Sequence, residues 1–360
     1  MTLPHGGNIY HYSRKYGIPA SEFLDFSASI NPLGPSASAM AALKGAIGEL
    51  INYPDPTAGT LMSALSGRLS VPVGSLLPGN GSTELIYLLP RALRPVRALL
   101  PVPSFSEYER ALKLAGCGVS CFPLRERDGF VPDMARLTNA LKDMDMLVLC
   151  NPNNPTGVLL GREVVFDIIG AARKAGVFTV VDEAFIEYAP GFSIAAEASR
   201  MKGVAVLRNF TKFHGMPGLR AGYLVAHPSV VEKISKSKEP WSMNTLAERA
   251  ATAALADDTY AEKSMALVER EKAYLYRGLK GIPGMEPYPP TVNFVFAKVT
   301  KGGVTAATLT ESLAERGVLV RDCSNFWGLD KCFIRVAVKK RADNRALLGA
   351  MKSAISFTRP

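Results

Sequence analysis

The chain is poor in the residues from which metal and redox centres are built. Its 360 residues include four histidines, five cysteines and two tryptophans. The histidines, His5, His11, His214 and His227, show no metal-ligand spacing, so no zinc site is expected. Cys117, Cys121, Cys150, Cys323 and Cys332 are odd in number and form no C-x-x-C pair. A disulfide framework is therefore not expected, and the thiols read as small apolar packing residues in a reducing cytoplasm. No apolar run approaches ~18 residues, so no membrane span is expected. The opening stretch, MTLPHGGNIYHYSRKYG, contains no apolar core of the kind a secretory signal needs. G-x-G-x-x-G is absent, which speaks against a nicotinamide enzyme. No helix-turn-helix precedes the core, and there is no internal repeat or low-complexity tract.

What the chain does carry is basic charge, +10 in formal net terms. The charge is scattered, with short clusters such as Lys339-Lys340-Arg341, and no basic stripe is interleaved with aromatics. A positive field that draws in a small anionic substrate fits better than nucleic-acid binding. A chain of this length makes one large or two medium domains and buries roughly 75% of its unfolded surface.

Short apolar strands alternate with helical stripes through the middle of the chain. Met146 to Cys150 and Val177 to Val181 read as buried strands, and Arg162 to Lys174 as the helix between them. This pattern predicts an α/β protein: a large domain with a mostly parallel central sheet, then a smaller C-terminal α+β domain. The expected division is an N-terminal arm over 1–37, a large domain over 38–245 and a small domain over 246–360. Ala39 to Leu50 reads as a helix with Ser38 as its N-cap. The long helical stretch from Leu246 to Leu279 breaks near Asp257-Asp258.

Ligands of such sheets bind outside the carboxyl ends of the strands. Asn154 in NPNNPTG, Asp182 in DEAF and Lys212 in TKFHGMPGLR all fall just past strand ends. Lys212 lies among Phe210, Phe213, Met216 and Pro217, and desolvation of that kind lowers an ammonium pKa and yields a nucleophilic amine. Such an amine forms a Schiff base with an aldehyde cofactor, and Asp182 suits a protonated ring nitrogen. Asn154 suits a ring oxygen, and Phe105 suits the ring face. Gly81, Ser82 and Thr83 stand where a helix starts after a Gly-rich turn, with backbone N–H groups for an anion. Thr211 and Arg220 complete a phosphate site, the arginine as a two-pronged donor. Each residue also has a plain structural alternative: a helix cap for Asp182, a turn for Asn154, core for Phe105, a surface ion pair for Arg220. Only their order and spacing together favour the functional reading.

In that order, GNGSTE, PSFSEY, NPNNPTG, DEAF and TK followed eight residues on by GLR, the chain resembles the fold-type-I enzymes of pyridoxal 5′-phosphate. Within them it resembles threonine-phosphate decarboxylase of cobalamin biosynthesis, on HGGN, LDFSASINPLG, YPDP, DEAFIEY, TKFHGMPGLRAGYL and VRDCSNFWGLD…FIRVAV. The resemblance implies decarboxylation of O-phospho-L-threonine to (R)-1-amino-2-propanol O-phosphate. The alternatives are a histidinol-phosphate-type aminotransferase and a decarboxylase of O-phospho-L-serine. It further implies that Lys212 links to the cofactor, that Arg335 binds the substrate carboxylate, and that Arg321, His5 and Gly6 bind the substrate phosphate. Asn154 is implied to touch substrate as well as cofactor. Tyr53 is implied to reach the cofactor phosphate of a partner subunit, hence a homodimer with shared sites, and the arm to close over the substrate. Two residues depart from the pattern. Phe185 replaces a tyrosine of many relatives, and Ser29 replaces an asparagine in the substrate loop.

Overall fold

The structure, a computed structural model, describes residues 5–357. These fall into two compact units. The larger comprises Leu33–Asn154 and Val158–Glu262; the smaller comprises the described residues up to Pro32, Pro155–Gly157 and those from Lys263 onward.

The first elements belong to the smaller unit: helix α1 (Ile9–Tyr16) and the two-residue strand β1 (Leu24–Asp25). In α1 the Asn8 side chain accepts from the His11 N–H, and Gly17 ends the helix at φ +70°. The larger unit then runs through α2 (Ala37–Gly45), α3 (Gly59–Leu69), β2 (Leu76–Asn80), α4 (Gly81–Leu93), β3 (Arg97–Val102), α5 (Ser106–Leu114), β4 (Gly118–Pro123) and α6 (Met134–Ala140). It continues with β5 (Met146–Cys150), α7 (Arg162–Lys174), β6 (Phe178–Asp182), α8 (Ala195–Ala198), β7 (Val204–Asn209), β8 (Ala221–Ala226), α9 (Pro228–Ser235) and α10 (Thr245–Leu255).

Its seven strands lie in the order β2-β8-β7-β6-β5-β3-β4. β4, β3, β5, β6 and β7 pair in parallel, whereas β8 is antiparallel to both β7 and β2. Six strands therefore point one way and β8 alone is reversed. All five residues of β5 are buried, as an unbroken apolar run requires when both faces of a strand are covered. Helix α7 lays Val165, Ile168, Ile169 and Ala172 inward. β4, with only Phe122 fully buried among its six residues, is an edge strand, and its weak apolar pattern is why the sequence does not announce it.

Helix α2 is capped by Ser36, not by Ser38. The Ser36 hydroxyl accepts from the Ala39 N–H, while the Ser38 hydroxyl donates to Asp257 at 2.7 Å. The helix stops at Gly45, and a 3-10 turn over Ile47–Ile51 takes up the remainder of the expected helix. Helix α10 turns its Ala247, Ala250, Ala251 and Ala254 inward and packs on α2 and α3, so it belongs to the larger unit. The division lies beyond it, inside α11 (Asp258–Lys280), rather than at 246.

The rest of the smaller unit comprises β9 (Met285–Pro287), β10 (Phe294–Val299), α12 (Ala306–Ala314), β11 (Val318–Leu319), β12 (Arg321–Asp322), β13 (Phe333–Ala337) and α13 (Arg341–Phe357). Its antiparallel sheet has the order β12-β13-β10-β9, and β1 pairs in parallel with β11. The chain after β1 is thereby built into this unit. The Phe26 N–H donates to Leu319 O, its carbonyl accepts from Ala337, and its ring sits in the core with Val295, Val320, Ile334 and Val336. Truncation of a fully buried ring of this kind costs roughly 3–5 kcal/mol. Phe26→Ala should lower the urea midpoint of unfolding accordingly, and an unchanged midpoint would show that the segment is not part of the core.

Candidate active site

Strand direction gathers the candidate residues of the larger unit. The parallel strands β2, β3, β5, β6 and β7 end on one edge of the sheet, and the reversed β8 begins there. Gly81–Thr83 follow β2, Phe105 follows β3, Asn154 follows β5, Asp182 ends β6, and Thr211 and Lys212 follow β7. Arg220 immediately precedes β8.

Asp182 is buried. Its carboxylate accepts from the Tyr108 hydroxyl at 2.7 Å and from the Ala184 N–H at 2.9 Å. Burial pushes its pKa up to about 6, against the lowering effects of these two bonds and of the Lys212 charge. Lys212 is half-buried, with its ammonium 5.8 Å from the centre of the Phe185 ring. Asn209, at the end of β7, accepts from the Thr211 N–H and shapes the turn that delivers the lysine. The Asn154 backbone N–H bonds the Cys150 sulfur, and burial pushes that thiol up to about 12. Phe105 occupies the N-cap position of α5 and meets Tyr108 edge-on at 5.6 Å.

The anion cradle is explicit at Gly81. It has φ +72°, and a Cβ there would lie 2.4 Å from the Arg220 guanidinium. Arg220 is thus laid across the first residue of α4, where unpaired N–H groups and the helix dipole favour an anion. Burial lowers the Arg220 pKa, and one guanidinium nitrogen donates to Pro217 O at 3.1 Å. Close approach of β8 completes the turn, since a Cβ on Gly222 would be 2.4 Å from the Ser82 nitrogen. Glu84, which stands where a dinucleotide motif would need glycine, accepts from the Asn80 N–H and bonds Lys238 at 3.5 Å.

The smaller unit holds a second group. Arg321 and Arg335 are paired residues on β12 and β13, so their side chains leave the same face. Two cations so placed repel each other, an arrangement that favours anion binding. Arg335 is buried, stacks on Phe294 at 5.0 Å and donates to Ser27 O at 2.9 Å; burial pushes its pKa down to about 10. Arg321 stacks on Phe326 at 4.9 Å and donates to Asn325 at 2.8 Å. The HGGN stretch folds onto the same Ser27. The Gly7 N–H donates to the Ser27 hydroxyl at 2.7 Å, and a Cβ at Gly6 would meet Ser27 O at 2.2 Å. His5, just before, is half-buried. Ser29 is buried, and its carbonyl accepts from Asn293 at 3.1 Å.

Tyr53 is 81% exposed and packs its ring on Trp241 at 4.9 Å. Tyr108 joins the candidates of the larger unit although the sequence marks no role for it. Its buried hydroxyl is the clue, since such a group needs a partner and Asp182 is that partner. Among the described residues no cluster of three or more metal-ligating side chains occurs, and no helix is long and apolar enough to cross a membrane.

Fold and site together define the class. Residues 21–351 match the family described as aminotransferase class I and II, and the chain belongs to that family. It is 36% identical to the threonine-phosphate decarboxylase of Salmonella typhimurium over 99% of this chain and 98% of that protein. It is 33% identical over its whole length to the adenosylcobalamin biosynthesis bifunctional protein CobDQ of Leptospira interrogans, of which it spans 42%. The crystal structure of the histidinol-phosphate aminotransferase from Clostridium acetobutylicum superposes with a TM-score of 0.85 at 30% identity, covering 92% of this chain and 98% of that one.

The cofactor of this family is pyridoxal 5′-phosphate. The larger unit fits it: a phosphate cradle that tolerates no side chain at Gly81, a buried carboxylate at Asp182, and an amine at Lys212. Gly81→Ala would strain a left-handed backbone and push Arg220 aside. Cofactor affinity should fall at least about tenfold in a spectroscopic titration.

The pH dependence of Asp182 has a definite sign. Its folded pKa is raised, so the carboxyl favours folding fully at acid pH, and that contribution is lost as pH rises through about 6. The loss is at most about 3 kcal/mol. A cationic ring nitrogen would offset it. The rise in Tm on adding cofactor should therefore be larger at high than at low pH, and Asp182→Asn should reduce that difference; equal behaviour of the two proteins would remove Asp182 from this role.

Proposed function

We infer that this chain is a pyridoxal-phosphate-dependent carboxy-lyase that converts O-phospho-L-threonine to (R)-1-amino-2-propanol O-phosphate and carbon dioxide, a step in cobalamin biosynthesis. The observation that carries this over amino transfer is the HGG turn at the start of the chain, seated on Ser27 beside the paired arginines, in a chain 36% identical to such a decarboxylase from end to end. Phe185 agrees with it, placing a ring without a hydroxyl near the Lys212 ammonium.

When bound, the cofactor supplies an aldehyde for an amine and a protonated ring that accepts the electron pair of the broken bond. The roles of this chain's residues are as follows in our reading. Lys212 is the amine that holds the cofactor and the acid that returns a proton to Cα once carbon dioxide has left. Asp182 keeps the ring nitrogen protonated, Asn154 donates to the ring oxygen and contacts substrate, and Phe105 covers the ring. Gly81, Ser82, Thr83, Thr211 and Arg220 hold the cofactor phosphate. Arg335 grips and orients the α-carboxylate as a fork. Arg321, His5 and the Gly6 backbone bind the substrate phosphate, and Ser29 borders the substrate side chain.

The same reading makes the protein a homodimer in which Tyr53 reaches the partner's cofactor phosphate. Leu50 and Ile51 are exposed, as is Tyr53 packed on Trp241, and exposed apolar side chains of this kind suit cover by a second copy. Five free cysteines accord with a reducing cytoplasm.

Incubation with O-phospho-L-threonine should release carbon dioxide without 2-oxoglutarate. Amino transfer in its place would overturn the reading in favour of the aminotransferase. Lys212→Ala should also abolish the borohydride-reducible visible band of the cofactor, a readout that needs no turnover. Arg321→Ala should lower kcat/KM about a hundredfold, the worth of one or two charged hydrogen bonds.

A further inference from the structure

Helix α1 has no fully buried residue, yet its Tyr12 lies within electrostatic reach of Arg321. What holds it is concentrated at one carboxylate. Lys15 and Tyr16, in its last turn, both donate to Glu311 on α12, and His11 lies within electrostatic reach of the same group. These bonds hold the Glu311 carboxyl below its ordinary range. A small apolar cluster adds to this, in which Ile9, Tyr12, Tyr16 and Ile18 rest on Phe23, Ala314 and Leu319.

The contact is relayed inward. The Tyr16 ring is stacked on Tyr12, centroids 6.3 Å apart and 7° from parallel. Tyr12 is half-buried, and both Arg321 and Asp322 act on its hydroxyl electrostatically. Upstream of α1 the same segment carries Gly6 and Gly7, seated on the Ser27 whose carbonyl takes Arg335.

We propose that Glu311 is a positioning residue for the substrate phosphate: it latches α1 so that Tyr12 and the HGG turn stay beside Arg321 and Arg335. The proposal rests on the phosphate-binding reading of Arg321 given above. An exposed ion pair is weak by itself. Here that weakness has a consequence, because a segment with so little burial opens at low cost, and small changes in its anchor shift its closed fraction.

The test is hydrogen exchange of the amides of residues 9–17 in the full-length protein, paired with steady-state kinetics on O-phospho-L-threonine. Glu311→Ala should speed exchange of these amides severalfold and raise KM about five- to tenfold with kcat within about twofold. Lys15→Met, which alters the latch from the arm's side at an exposed position, should do the same to a smaller degree. Unchanged exchange in Glu311→Ala overturns the proposal, as does faster exchange with KM unmoved. Wild-type protein without activity on O-phospho-L-threonine would sink the decarboxylase reading instead, and the exchange measurement, which needs no turnover, would still decide whether Glu311 holds the arm.

Discussion

The direction of the strands in the large sheet is the constraint on which the site depends. Parallel neighbours need long crossovers, and each crossover brings the chain back to the same end of the sheet. Five strands thereby deliver their following loops to one edge. The reversal of β8 is equally necessary. It sends the chain back after Lys212, so that Arg220 arrives at the start of α4 and lies over Gly81. A parallel β8 would have carried Arg220 to the opposite edge.

Buried charge is the second theme, and each instance is compensated differently. Asp182 has a phenol, one backbone N–H and the Lys212 charge, and burial still raises its pKa. Next to it in sequence, Glu183 accepts from Ser193 and from the Ile194 N–H and lies 3.9 Å from Arg208, which also bonds Glu187 at 2.9 Å. Burial pushes Glu183 up to about 7, while at Arg208 burial is outweighed by Tyr223, Glu187 and Glu183, which raise its pKa. This network ties the end of β6 to β7 directly beside Asp182. Such networks are costly to break because each member would leave the others buried and unpaired.

In the smaller unit a short N-terminal segment serves structure and, in the proposed function, recognition as well. Phe26 fills the core, Asp25 accepts from the Ser27 N–H and hydroxyl, and Ser27 in turn meets Gly6, Gly7 and Arg335. The firmness of this segment falls from Phe26, wholly buried, to α1, held largely at its edge. That gradient suits the role proposed for the segment, to frame a site and admit a substrate.

Local chemistry written in the sequence accounts for much of the fold. Met146–Cys150 and Arg162–Lys174 end where their apolar patterns end, because a buried strand and an amphipathic helix both declare themselves by period. The polar edge strand β4 does not, for want of an apolar run, and the short α6 and α9 hold too few residues to establish a period. The candidate residues of the anion cradle and the strand-end Asn154, Asp182 and Lys212 were legible only through their order and spacing, since each type taken alone has an ordinary structural use. What only the tertiary structure decided were distances and partners: Tyr108 against Asp182, Arg220 across Gly81, Arg321 opposite Arg335, Glu311 under α1. Each joins residues far apart in sequence or set by strand register. Periodicity along a chain carries no information about which distant side chain will complete a buried polar group.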